Sequence, residues 1–140
     1  MTTSNGESPT QSFDTMGLHD ALLKALGELG YETPTPIQQL AIPHLIEGRD
    51  IIAQAQTGTG KTAAFALPLL GQVELSEVTP QILVLAPTRE LALQVSDAIK
   101  AYSRHFERLK VLPVYGGQGM KNDFGGHDNR HYNNTYAYVG

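Results

Sequence analysis

Residues 49–70 read RDIIAQAQTGTGKTAAFALPLL, and the order of chemistry inside this stretch decides the fold. The Ile51-Ile52 pair in Arg49–Ala55 predicts a short buried strand. A glycine-rich loop, Gln56–Gly60, follows it, and a helix is expected from about Lys61 to Leu70. Ala55–Thr62, AQTGTGKT, fits the phosphate-loop spacing Gly-x-x-x-x-Gly-Lys-Thr except that Ala55 stands where the first Gly would be. Gly58 and Gly60 let the backbone curl, so that successive N–H groups of Ala55, Gln56, Thr57, Gly58, Thr59 and Gly60 can cradle phosphate oxygens. The helix start beyond adds partial positive charge. Lys61 can reach the outer phosphates, and the Thr62 hydroxyl is placed to ligate Mg²⁺. The competing reading is a Gly-Thr-Gly turn with a solvated lysine. The strand-loop-helix context favours nucleotide binding.

Outward from the loop, further elements follow. Leu18, Ala21, Leu22, Ala25, Leu26 and Leu29 recur at helical spacing, with Asp20 in the first turn and Gly30 at the stop. Pro36 suits the first position of a second helix carrying Ile37, Leu40, Ala41, Leu45 and Ile46, with Pro43 inside it and Gly48 at its end. Gln81–Pro87, QILVLAP, reads as a strand covered on both faces. Arg89 to about Phe106 is helical, with Leu91 expected in the core, and Leu109–Tyr115 is the third strand. Strands alternating with helices predict an α/β fold on a parallel sheet.

Composition sets the outer bounds. The chain has 140 residues, about one domain. It is 41% hydrophobic and 17% charged, ordinary for a globular protein, and has no cysteine, so neither a disulfide framework nor cysteine-ligated zinc is expected. No apolar run approaches the ~20 residues of a membrane span. The polar start lacks the pattern of a secretory signal, which fits a cytoplasmic home. A net charge of −4 speaks against gripping nucleic acid by bulk electrostatics, though it leaves local backbone contacts open. Residues 1–12 read as a disordered tail. Residues 121–140, rich in Asn, His and Tyr and poor in aliphatics, are likewise expected to be disordered and outside the core. His127, Asp128 and His131 have ligand chemistry, but Gly125-Gly126 and Asn133-Asn134 argue against the helix that a metal site would need there.

Four motifs in order resemble one family, the DEAD-box RNA helicases, and within it the bacterial cold-shock DeaD-like group. AQTGTGKT resembles its motif I, which has Ala at the first position. Gly30–Gln38, GYETPTPIQ, resembles the Q motif, with Phe13 seventeen residues before Gly30 as the isolated aromatic. Pro87–Ala92, PTRELA, matches motif Ia, and Gly116-Gly117 resembles the GG motif. The resemblance implies an incomplete parallel-sheet P-loop (RecA-like) domain over 40–120, preceded by a Q-motif region over 13–39. It implies that Gln38 reads adenine through its amide, that Tyr31 stacks on the base with Phe13 packing nearby, and that Lys61 and Thr62 serve ATP and Mg²⁺. It implies further that Pro87, Thr88, Arg89, Gly116 and Gly117 touch the backbone of single-stranded or short duplex RNA without reading sequence. Taken alone, Gln38 would read as an exposed helix-surface amide, Arg89 and Glu90 as first-turn helix residues, and Gly-Gly as a turn.

The sequence departs from the family after Gly117. It contains no Thr-Pro-Gly-Arg, Asp-Glu-Ala-Asp or Ser-Ala-Thr segment and no second RecA-like domain, so no carboxylate is available to hold Mg²⁺ or orient water. The helicase reading of the family therefore stands beside a second, a non-catalytic fragment that holds nucleotide or RNA. A third, some other P-loop NTPase, is disfavoured by GYETPTPIQ and PTRELA.

Overall fold

The computed structural model describes residues 11–56, 58, 60–115 and 135–139. A single 3₁₀ turn, Phe13–Thr15, leads into α1 (Asp20–Glu28) and α2 (Pro36–Ile46). Then come α3 (Lys61–Gly71), β1 (Pro80–Val84), α4 (Arg89–Tyr102), β2 (Leu109–Pro113) and β3 (Thr135–Val139). The expected helices form, and the sheet is parallel throughout, as an α/β fold requires. Its order is β1-β3-β2, with Ala137 opposite Ile82 on one side and Val111 on the other.

Helix packing on one side of the sheet makes the core. Leu22 and Leu26 of α1, Ile42 of α2, Leu67 and Leu70 of α3 and Ile99 of α4 are fully buried. Each lies at the three- or four-residue spacing that gives a helix an apolar face. Truncating one of them to Ala is expected to cost about 2–5 kcal/mol. At the far ends of α1 and α4, Glu28 accepts from His105 Nε2 at 2.8 Å and Arg104 at 3.1 Å. The His105 bond, then the Arg104 guanidinium, hold the Glu28 carboxyl below the ordinary carboxylate range.

Several expectations are corrected. Arg49–Ala55 is not a buried strand: it joins no ladder, and the Ile52 side chain is fully exposed. A strand needs a hydrogen-bonding neighbour, and the described sheet offers 49–55 none. Gln81–Pro87 is not covered on both faces. Ile82, Val84 and Ala86 pack on the helices while the intervening Leu83 and Leu85 are 67% and 79% exposed, because the helices among the described residues cover one face. Helix α4 stops at Tyr102 rather than near Phe106. There the Ser103 hydroxyl donates back to the Ile99 carbonyl at 2.7 Å, and Arg108, at a φ of 70°, turns the chain into β2. Leu91 lies outside the core, which α4 enters through Ala92, Val95 and Ile99, and Leu40 likewise points outward from α2.

The largest correction concerns 121–140. Thr135–Val139, expected outside the core, is the middle strand of the sheet. Thr, Tyr and Val favour extended backbone, and the slot between two parallel strands satisfies hydrogen bonds on both sides. The remainder of that stretch, with His127, Asp128 and His131, lies outside the described residues.

Candidate functional site

The start of α2 is where the site begins. Thr35 is its N-cap, Pro36 its first residue and Gln38 its third. Gln38 sits where a capping-box side chain reaches back, and its Oε1 accepts from the Thr35 N–H at 2.9 Å. The return contact from Thr35 Oγ1 falls short of hydrogen-bond geometry, and that hydroxyl is buried without a partner among the described residues. The other end of the Gln38 amide turns away from its own helix. Its Nε2 donates to the Gly60 carbonyl at 3.2 Å. Gln38 is 1% exposed, so the reading of it as a surface amide is excluded.

Gly60 in turn is shaped around that amide. Its φ of 81° lies in the left-handed region, as does the 79° of Gly58, where a side chain is strained. A Cβ at Gly60 would collide with Gln38 Nε2 and lie 3.3 Å from Thr35 Oγ1, whereas one at Gly58 would meet nothing within 4 Å. Thr57 and Thr59 lie outside the described residues; Ala55 is half-buried and Gln56 exposed.

The helix after the loop begins on Gly60, which has no side chain with which to cap it. By contrast, His19 Nδ1 caps α1 by accepting from Ala21 N–H at 3.1 Å, and Thr88 Oγ1 caps α4 by accepting from Leu91 N–H at 3.2 Å. Lys61 is exposed and, among the described residues, has no carboxylate partner; Thr62 is half-buried on the next position. An uncapped helix start, an unpaired ammonium and a hydroxyl form a donor set suited to a phosphate group and its cation. Among the described residues no cluster of three His, Cys, Asp or Glu could hold a metal, so a cation here would depend on Thr62 and the phosphates themselves.

A run of aromatics joins the beginning of the chain to α4. The rings of Phe13, which is buried, and Tyr31, which is partly exposed, meet edge to face at 6.3 Å between centroids. Tyr31 meets Tyr102 in the same way at 5.9 Å, and their hydroxyls are 3.0 Å apart. Burial, reinforced by that hydrogen bond, pushes the Tyr102 phenol far above its ordinary range.

At the end of β1, Pro87, Thr88 and Arg89 are all exposed, and the Arg89 guanidinium lies over the Tyr115 ring at 4.3 Å from its centroid. Gly116 and Gly117 lie outside the described residues. The structure thus brings together Gln38 with Gly60, Phe13 with Tyr31, and Arg89 with the residue preceding Gly116. Thr35, Tyr102 and Tyr115 were missed by sequence reasoning. Thr35 had a signal in Thr-Pro-x-Gln, where an N-cap precedes a helix-starting proline. Tyr102 had only its helical spacing from Ile99, and Tyr115 had none.

Comparison with known proteins follows the same lines. The family described as DEAD/DEAH box helicase matches residues 35–136. The ATP-dependent RNA helicase DeaD of Haemophilus influenzae is 54% identical over 107 residues, covering 76% of this chain and 18% of that protein. Its Mycobacterium tuberculosis counterpart is 51% identical over 106 residues, 76% of this chain and 19% of that protein. Among solved structures, a DEAD box protein from the hyperthermophile Methanococcus jannaschii superposes with a TM-score of 0.79 at 36% identity, over 92% of this chain and 34% of its own. S. cerevisiae Dbp5 bound to RNA and ADP BeF3 gives a TM-score of 0.74 at 32% identity, over 91% of this chain and 32% of its own. The chain therefore spans under a fifth of the length of these DeaD relatives.

Proposed function

This chain belongs to the DEAD/DEAH box helicase family, and from that premise we propose that it supplies the ATP-holding front of an ATP-dependent RNA helicase. One observation carries the reading: Gln38, from the segment resembling the Q motif, is hydrogen-bonded to Gly60 of the phosphate loop. Adenine recognition and phosphate binding are thereby joined through one side chain. Beyond its bonds to Thr35 and Gly60 the Gln38 amide keeps one N–H and one lone pair, which a base edge takes up once it uncovers this buried side chain. Tyr31, partly exposed and backed by Phe13, offers a ring for stacking. Backbone N–H groups from Ala55 to Gly60 cradle the phosphates, Lys61 neutralises their outer oxygens, and Thr62 ligates Mg²⁺. Pro87, Thr88 and Arg89, with Gly116 and Gly117, hold an RNA backbone without reading its bases. A cytoplasmic location is part of this proposal, and, separately, among the described residues no helix is long and apolar enough to cross a membrane.

A second reading has its own support. The 140 residues contain no Asp-Glu-Ala-Asp run. On their own they hold nucleotide without turning it over, since they lack the Asp-Glu-Ala-Asp carboxylates that would hold Mg²⁺ and orient the attacking water. Some other class of P-loop NTPase is set aside by the family match.

ATP turnover by the purified chain, with and without single-stranded RNA and beside a Lys61→Ala control, separates the two. Turnover no higher than the control, with nucleotide binding that Lys61→Ala abolishes, supports the binding fragment. RNA-stimulated turnover lost in the control supports catalysis by this chain. Absence of nucleotide binding sinks both.

A further inference from the structure

Arg89 opens α4, and a cation in the first turn of a helix faces the positive end of its dipole. Its own helix therefore does not hold it. Among the described residues no carboxylate pairs with it either. The contact that gives it a place is the Tyr115 ring, just beyond the end of β2, with the guanidinium carbon 4.3 Å from the ring centroid. A guanidinium over one aromatic ring cannot direct all five of its N–H donors at that ring. Several of the Arg89 donors therefore stay available to an oxyanion.

We propose that Tyr115 is a positioning residue, which holds the Arg89 guanidinium so that its N–H edge meets a phosphate of the RNA backbone. The inference rests on the reading of Thr88 and Arg89 as backbone contacts and deepens it. Tyr115 precedes Gly116 in the sequence, and its contact with Arg89 ties the first turn of α4 to the chain just beyond β2. The ring face under Arg89 is covered, and in this role it is not a platform for a base. Tyr115 contributes through its ring, not its hydroxyl.

The test measures affinity of the full chain for a fluorescein-labelled single-stranded oligouridine, by anisotropy at fixed salt. Tyr115→Leu should weaken binding about two- to fivefold, the range for an exposed cation–π contact, and Tyr115→Phe should leave it unchanged. Arg89→Ala should weaken it at least as much, and the Tyr115→Leu, Arg89→Ala double variant no further than Arg89→Ala alone. Unchanged binding in Tyr115→Leu, with a loss in Arg89→Ala, overturns the positioning role and spares the reading of Arg89. Equal losses in Tyr115→Phe and Tyr115→Leu, or additive losses in the double variant, also overturn it. No effect of Arg89→Ala sinks the underlying reading and this inference with it. Should Tyr115→Leu fail to fold, the wild-type chain still decides. The Arg89 Nε–Hε NMR signal should be ring-shifted before RNA is added and move on addition; a signal at the free-arginine position overturns the proposal.

Discussion

Gln38 and Gly60 hold each other in place: the Gln38 amide donates to the Gly60 carbonyl at 3.2 Å, and the absent Cβ of Gly60 is the space that amide occupies. Because Gln38 Oε1 also accepts from the Thr35 N–H at 2.9 Å, one side chain fixes both the start of α2 and the last bend before α3. Gln38→Ala should cost about 1–3 kcal/mol in urea unfolding, the range for stranding buried polar groups, and should weaken nucleotide binding. Gln38→Glu keeps an acceptor for Thr35 and loses the donor to Gly60. A carboxylate buried against the Gly60 carbonyl should make it no more stable than Gln38→Ala, and it should bind nucleotide no better. Equal stability and affinity in all three proteins would sink this account.

Gly58 and Gly60 allow a cleaner comparison, since both have φ near 80° but only Gly60 is crowded. Gly58→Ala should cost about 1–2 kcal/mol from left-handed strain alone. Gly60→Ala should cost that amount and more, because Gln38 must also leave its seat. Equal melting temperatures for the two variants would show that Gln38 yields freely.

Tyr102 makes stability sensitive to alkali. Its folded phenol is raised above the unfolded one, so the folded state keeps the proton more tightly. The sign follows: its contribution is fully present below the unfolded phenol value of about 10 and is lost as pH rises beyond it. Tyr102→Phe removes this dependence along with the hydroxyl pair to Tyr31. Unfolding between neutral and strongly alkaline pH should therefore steepen less for Tyr102→Phe than for the wild type. Parallel profiles would place the alkaline loss in other groups.

Leu83 and Leu85, 67% and 79% exposed, face away from the helices. Such a sheet face favours self-association. Replacing Leu83 and Leu85 by Thr keeps strand propensity and removes apolar surface. The double variant should stay monomeric at higher concentration in sedimentation, with stability within about 0.5 kcal/mol of the parent per exposed site. A large loss of stability would mean that the face is packed.

Helices and the loop were legible because their signals are local. Leu22, Ala25 and Leu26 recur within a few residues, Pro36 marks a helix start, and Gly-Lys-Thr follows a turn that only glycine makes easily. Strand burial was not legible, because it depends on partners far along the chain. Ile52 looked buried for want of any local cue that no strand would pair with it. Thr135–Val139 looked unstructured because its fitness for the slot between β1 and β2 shows only once both are in place. The same limit hid Tyr115, whose meaning lies in Arg89 on another element.

The uncapped start of α3 has a thermodynamic consequence. His19 and Thr88 close their own helices whether or not anything is bound, but Gly60 has no side chain to do so, and under the proposed function that task falls to a bound phosphate. Occupancy and folding are then linked by mass action. An occupant at a hundred times its dissociation constant would add about 2.7 kcal/mol to the unfolding free energy. If the loop binds nucleotide as proposed, the melting temperature of this chain should rise with nucleotide concentration.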